Sequence, residues 1–220
     1  IQLLSNGHYH LMLTAGGGGY SRWNDIALTR WRSDTTRDNW GAFCYIRDTQ
    51  TGDVWSNTWQ PTGYTSGQDE EVLFTDAGAE FRRSLGGLSV KTQVVISPED
   101  DVELRRLTLI HRGRKPRSLE LTTYAEVVLA PDASDLAHPA FSNLFIQTEL
   151  APERDAILCH RRPRSPDEPG SCLFHMMVVH GDNRHNVSFE TDRARFIGRG
   201  RNPANAQAIE TGGMLGNTSG

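Results

Sequence analysis

The chain has 220 residues, 37% of them hydrophobic and 23% charged, with a mean hydropathy of −0.51, which supplies material for a packed core and excludes wholesale disorder. A formal net charge of −4 and a pI near 6.1 leave no basic excess for phosphates, so neither nucleic acid nor direct membrane contact is expected of this segment. No apolar run approaches the roughly 18 residues that a bilayer-spanning helix needs.

Runs rich in β-branched and aromatic residues recur between clusters of Gly, Pro, Asn and Asp, and helical periodicity is scarce. In chain order, strands are expected at 8–14, 40–47, 72–75, 88–96, 102–110, 119–129, 145–150, 156–160, 173–180 and 187–190. The clearest is 88–96, where Leu88, Val90, Thr92, Val94 and Ile96 alternate onto one face. With 102–110 and 119–129 it reads as a meander, the last two runs being joined by a charged connection at 111–117 that holds Gly113 and Pro116. The basic, proline-bearing stretch 161–171 reads as a surface loop, and 130–140 as another. Nothing is long enough to act as an interdomain linker, so one all-β domain over 1–220 is expected. The start at Ile1, with neither Met nor a leader pattern, reads as that of an internal fragment. Cys44, Cys159 and Cys172, without a CxxC spacing, suit a reducing compartment and a cytoplasm-facing domain.

The four glycines 16–19 allow close backbone approach to a ligand, but Tyr20-Ser21-Arg22-Trp23 follows where a phosphate loop needs Gly-Lys-Ser/Thr, so a turn or bulge is expected. More telling is the crowding of Tyr20, Trp23, Trp31, Trp40, Tyr45, Trp55, Trp59 and Tyr64 into one third of the chain, interleaved with Arg22, Asp25, Arg37, Asp38 and Asp53. Sugars present flat C–H faces that stack on rings and hydroxyls that need charged or amide partners, so this mixture suits a glycan-facing surface. Most of these rings belong in the core. Trp23, Trp55 and Trp59, beside turn residues, are expected to be exposed. His8 and His10 share a strand face without an evident third metal ligand, and His138 near Asp132 and Asp135 matches no metal spacing, so neither metal nor other cofactor is expected. Glu70-Glu71 and Asp100-Asp101 read as solvated turns, and no nucleophile signature appears.

The segment from Leu4-Ser5-Asn6-Gly7 to Pro61 resembles the start of the β-sandwich domain of glycoside hydrolase family 94, which includes cellobiose, chitobiose and cellodextrin phosphorylases. The resemblance rests on Thr14-Ala15-Gly16-Gly17-Gly18-Gly19-Tyr20-Ser21, on Gly52-Asp53-Val54-Trp55-Ser56 and on Trp59-Gln60-Pro61. Ser21-Arg22-Trp23-Asn24, Thr29-Arg30-Trp31-Arg32-Ser33-Asp34, Ala137-His138-Pro139-Ala140-Phe141-Ser142-Asn143-Leu144-Phe145 and Arg195-Phe196-Ile197-Gly198-Arg199-Gly200-Arg201 are most similar to the phosphorylase-like regions of cyclic β-1,2-glucan synthases.

The resemblance implies an antiparallel two-sheet supersandwich, similar to galactose mutarotase. It also implies a parent with an (α/α)6 barrel that carries the catalytic acid, in a bacterial inner-membrane synthase. Its partners would be that barrel and a β-glucan or other oligosaccharide. Arg22, Trp23, Arg37, Asp38, Trp55 and Trp59 are the candidate substrate-binding residues, none of them catalytic. Two other readings are an autonomous lectin-like module and a mutarotase-type epimerase, in which His175 or His180 would act with Glu126.

Overall fold

The computed structural model describes residues 1–34, 36–63, 69–163, 165, 170–181, 187–212 and 216–217. Tyr64, Asn186 and much of the 161–171 stretch lie outside them. The first half contains β1 (Gln2–Ser5), β2 (Tyr9–Leu13), β3 (Gly19–Trp23), β4 (Ile26–Thr29), β5 (Phe43–Asp48), β6 (Val54–Ser56), β7 (Asp69–Thr75), β8 (Gly78–Leu85), β9 (Leu88–Ile96) and β10 (Glu103–His111). β11 (Leu119–Tyr124), β12 (Val127–Pro131), α1 (Asp132–Ala137), α2 (Pro139–Asn143), β13 (Ile146–Ala151), β14 (Ala156–Arg161) and β15 (Cys172–Met176) follow. The chain then passes through β16 (Phe189–Glu190), α3 (Arg193–Ile197), α4 (Gln207–Thr211) and β17 (Gly216–Asn217). The class is all-β, with several antiparallel sheets. Two compact units emerge: Ile1–Asp25 with Thr29–Glu126, and Ile26–Leu28 with Val127–Gly220.

In the first unit, β7 to β10 form a four-stranded antiparallel meander with β9 at its centre. Leu88, Val90, Thr92 and Val94 are buried, as their alternation dictates. The expected continuation of this meander into 119–129 is a misreading. β11 pairs antiparallel with β5, from Leu119↔Asp48 to Tyr124↔Phe43, and β5 pairs in turn with β6. The connection before β11 is tied to the end of β5: Arg117 Nε donates to Asp48 Oδ2 at 2.7 Å, and the Thr49 amide donates to the Ser118 carbonyl at 2.9 Å. Gln50 and Thr51 amides reach the same Asp48, and with Arg117 they hold its carboxyl below the usual range.

A core cluster of Ile46, Trp55, Leu88 and Val90, flanked by Leu107, Leu119 and Leu121, joins the β5 sheet to the meander. Each such side chain contributes roughly 1.5–3 kcal/mol on burial. β1, β2 and β3 form a third antiparallel ladder. The run 119–129 also breaks in two at Ala125 and Glu126, where the Glu126 carbonyl accepts from the Arg30 amide at 2.8 Å.

In the second unit, Ala27 of β4 packs with Val128 and Ala130 of β12. β13, β14 and β15 make an antiparallel sheet. The expected loop at 130–140 is instead occupied mainly by α1 and α2, whose Asp135 and Ser142 are buried. Buried Arg161 donates to the Ser142 carbonyl at 3.3 Å and lies over the Phe145 ring at 5.1 Å. Asp192 caps α3 by accepting from the amides of Ala194 and Arg195. Among the described residues no helix is long and apolar enough to cross a membrane.

Candidate functional site

Three segments singled out by sequence meet at one end of the first unit. The glycine run turns β2 into β3, and its conformations explain its composition. Gly17 and Gly19 have φ of +88° and +146°, which L side chains rarely adopt. A Cβ on Gly18 would stand 2.1 Å from Asp38 Oδ1, and one on Gly19 would stand 1.8 Å from the Met12 carbonyl oxygen. Asp38 fits against the turn, accepting from the Thr14 hydroxyl. The Gly19 amide donates to the Trp40 carbonyl at 2.8 Å, and the Gln60 amide to the Gly16 carbonyl at 2.8 Å. The glycines thus make room for a carboxylate and a neighbouring loop, and the phosphate-loop reading has no support.

The loop 56–63 is held from beneath by a buried arginine. Arg83 Nη1 donates to the Ser56 carbonyl at 2.9 Å and to the Thr58 carbonyl, and its Nη2 donates to the Gly63 carbonyl at 3.2 Å. The Ser56 hydroxyl donates to the Thr58 carbonyl at 2.7 Å. On this loop Trp59 is 39% exposed; in the segment that meets the same glycine turn, Asp38 is half-buried and Arg37 is exposed. The Arg37 backbone is fixed by Asp34, which accepts from its amide at 3.2 Å and from the Thr36 hydroxyl and amide at 2.7 Å. The Thr36 hydroxyl in particular keeps the Asp34 carboxyl below its ordinary range. The rim therefore presents an aromatic face, a guanidinium and a carboxylate, the donor and acceptor set that sugar hydroxyls require.

The other three candidates lie elsewhere. Trp23 is 41% exposed and donates from Nε1 to Asp101 Oδ2 at 2.6 Å. It ends β3, about 13 Å from Gly19 at a strand rise of about 3.3 Å per residue, so it shares no single platform with Trp59. Arg22 faces away from the core beside its cross-strand partner His10.

The expectation of an exposed Trp55 is wrong: it is 2% exposed, in the core, under the Arg117 guanidinium at 5.8 Å. Its motif folds as the β5–β6 hairpin, with Gly52 at φ +80° and Asp53 accepting from the Thr51 hydroxyl. Pairing with buried Ile46 turns Trp55 inward. Glu70 and Glu71, expected in a turn, are exposed residues of β7. Glu126 is committed to Arg30 at 2.9 Å, both side chains being less than 10% exposed, and to the Tyr124 hydroxyl at 2.7 Å.

Two polar groups escaped the sequence reading. Arg83 follows Ala79 and Phe81 on the inward face of β8, so its position in a period-two apolar row was the available signal. Glu103 accepts from Ser21 Oγ at 2.6 Å and Tyr9 Oη at 3.0 Å and is paired with Arg105, whose Nη1 donates to the Ala42 carbonyl at 2.6 Å. Burial pushes the Glu103 carboxyl upward, but Arg105 and these hydrogen bonds outweigh it and hold it below its ordinary value. Burial raises the Tyr9 phenol, and Glu103 adds to the effect.

Residues 1–220 match the model of the "Glycosyl hydrolase 94, supersandwich domain" family. The chain is 42% identical to the cyclic beta-(1,2)-glucan synthase NdvB of Rhizobium meliloti (strain 1021) over 99% of its own length and 8% of that protein. It is 23% identical to the N,N'-diacetylchitobiose phosphorylase of Vibrio furnissii, over 91% of this chain and 25% of that protein. With the solabiose phosphorylase of Paenibacillus borealis it shares 25% identity over 71% of this chain and 19% of the relative. The chain thus spans less than a tenth of the first relative and about a quarter of the second.

Proposed function

This chain belongs to the glycosyl hydrolase 94 supersandwich-domain family, and on that premise we propose that it is a non-catalytic, carbohydrate-facing domain of a cyclic β-1,2-glucan synthase-like enzyme. Its rim of Trp59, Arg37 and Asp38 orients a glucan chain, while an (α/α)6 barrel elsewhere in the polypeptide carries out phosphorolysis or transfer. The observation that carries this reading is the convergence of the glycine turn, the Asp38 segment and the Trp59 loop, linked by the Thr14–Asp38 and Gln60–Gly16 hydrogen bonds. That framework spends a buried arginine and four glycines on holding one ring at the surface. The ring of Trp59 and the Arg37 cation suit binding, and Asp38, which accepts from Thr14, ties the segment that carries Arg37 to the glycine turn. We further place the domain in a reducing compartment, facing the cytoplasm, a reading supported by the free thiols of Cys44, Cys159 and Cys172.

The test is Trp59→Ala in the protein at its natural length, assayed with linear β-1,2-glucan. The expected result is a KM raised about tenfold, near 1.4 kcal/mol of binding, with kcat within about twofold. An unchanged KM removes Trp59 from the glucan path and overturns the reading.

A further inference from the structure

The hairpin of β2 and β3, extended by β1, has a second face that the rim does not use. Register places Leu4, Leu11 and Ser21 in one transverse row, with Leu4, Leu11 and Ser21 all buried. The adjacent row, Ser5, His10 and Arg22, points the opposite way, as does the row that contains Leu3 and Tyr20. These rows border a cleft of about 440 Å³ that also reaches Asn24 and Asp25. That volume falls within the roughly 300–1,000 Å³ typical of small-molecule sites.

The walls are chemically divided. At one end Leu3, 68% exposed, and the Tyr20 ring offer apolar surface, and Trp31 meets that ring edge-on at 5.6 Å and 65°. At the other end the polar groups are set by local geometry. Ser5 Oγ accepts from the Gly7 amide at 3.0 Å and shares a hydrogen bond with His10 Nδ1 at 2.9 Å, which fixes the His10 ring and leaves its Nε2 for the cleft. Asn24 adopts φ +50°, and its amide donates to the His8 carbonyl at 2.7 Å, so the turn carries Asn24 and Asp25 to the cleft mouth. Arg22 and Asn24 supply donors, Asp25 and the Asn24 amide oxygen supply acceptors, and His10 Nε2 supplies one or the other. Vicinal hydroxyls, each donating and accepting, match this mixture. An inorganic anion would gain Arg22 but meet Asp25.

We propose that this cleft is a second carbohydrate site, which takes one or two units of a neutral glucan with a C–H face on Leu3 and Tyr20 and hydroxyls on Arg22, His10 and Asp25. It is independent of the rim beyond Gly19 and stands even if Trp59 proves silent. Two sites on one domain would raise the effective concentration of a polymeric chain at each.

The test uses the protein at its natural length and sophorose, the β-1,2-linked diglucoside, with and without a diazirine tag. Photolysis of the wild type followed by peptide mapping is expected to place label within residues 3–25, and excess untagged sophorose is expected to abolish it. Asp25→Asn and Arg22→Gln are each expected to weaken sophorose binding at this peptide at least tenfold, and Trp59→Ala to leave it unchanged. Asp25 lies in an exposed turn, so its variant keeps the fold if Arg22→Gln does not. Label confined to other peptides, retention of full labelling in Asp25→Asn, or displacement of the sugar by millimolar inorganic phosphate would each overturn the proposal.

Discussion

The Glu103 carboxylate gives up hydration for Arg105, Ser21 and Tyr9, and the balance of those terms fixes how the first unit responds to acid. Because its folded value lies below its ordinary one, the group contributes stability in full above the unfolded-state value. That contribution is lost as pH falls through the depressed folded value. Glu103→Gln is expected to cost about 3 kcal/mol in urea denaturation at pH 7, since it leaves Arg105 without its carboxylate. The gap from wild type should begin to narrow as pH falls below the ordinary glutamate value of about 4.3, where the unfolded chain takes up the proton, and should close as the native carboxylate follows at its lower value. An equal gap at pH 7 and pH 3 would show that packing, rather than charge, carries the effect.

Two glycines offer a matched pair at the same scale. Gly52→Ala, at φ +80° with open space around the added Cβ, should cost about 1 kcal/mol of backbone strain. Gly19→Ala must also displace the Met12 carbonyl and should cost about 3 kcal/mol or more, read by the same denaturation.

Among the elements, β8 does more than complete a sheet. Its inward row of Ala79, Phe81 and Arg83 ends in a cation that holds the carbonyls of Ser56, Thr58 and Gly63. Arg83→Met should free that loop while keeping most of the side-chain volume. Hydrogen exchange at the Gln60 and Gly63 amides, now bonded to Gly16 and Trp59, is expected to quicken at least tenfold, about 1.4 kcal/mol of local opening. Unchanged protection would mean that the loop holds itself.

The strands also show where periodicity sufficed. In β9 apolar and polar residues alternate, and its bounds and buried face were legible from sequence. In β10 the alternation misleads: Leu104 is 54% exposed while Glu103 and Arg105 turn inward, because a polar network rather than apolar contact fills that part of the core.

For the molecule as a whole, the chain represents 8% of one relative's length and 25% of another's. On the reading proposed above, this chain alone should release no glucose 1-phosphate from sophorose and phosphate. Measurable turnover would contradict a non-catalytic domain.

By itself the sequence determined the all-β class, through period-two runs and turn residues, and the family, through its glycine-run and Trp-bearing motifs. These are local properties, fixed by backbone preference and residue order. Only the tertiary structure decided that β11 leaves the meander for β5, that Trp55 belongs to the core, and that Trp23 and Trp59 stand apart. Each of those outcomes depends on which distant segment supplies a partner: Asp48 for Arg117, Ile46 for Trp55 and Asp101 for Trp23. Neighbours along the chain cannot specify such pairings, because burial is set by what packs against a face and not by the residues that flank it.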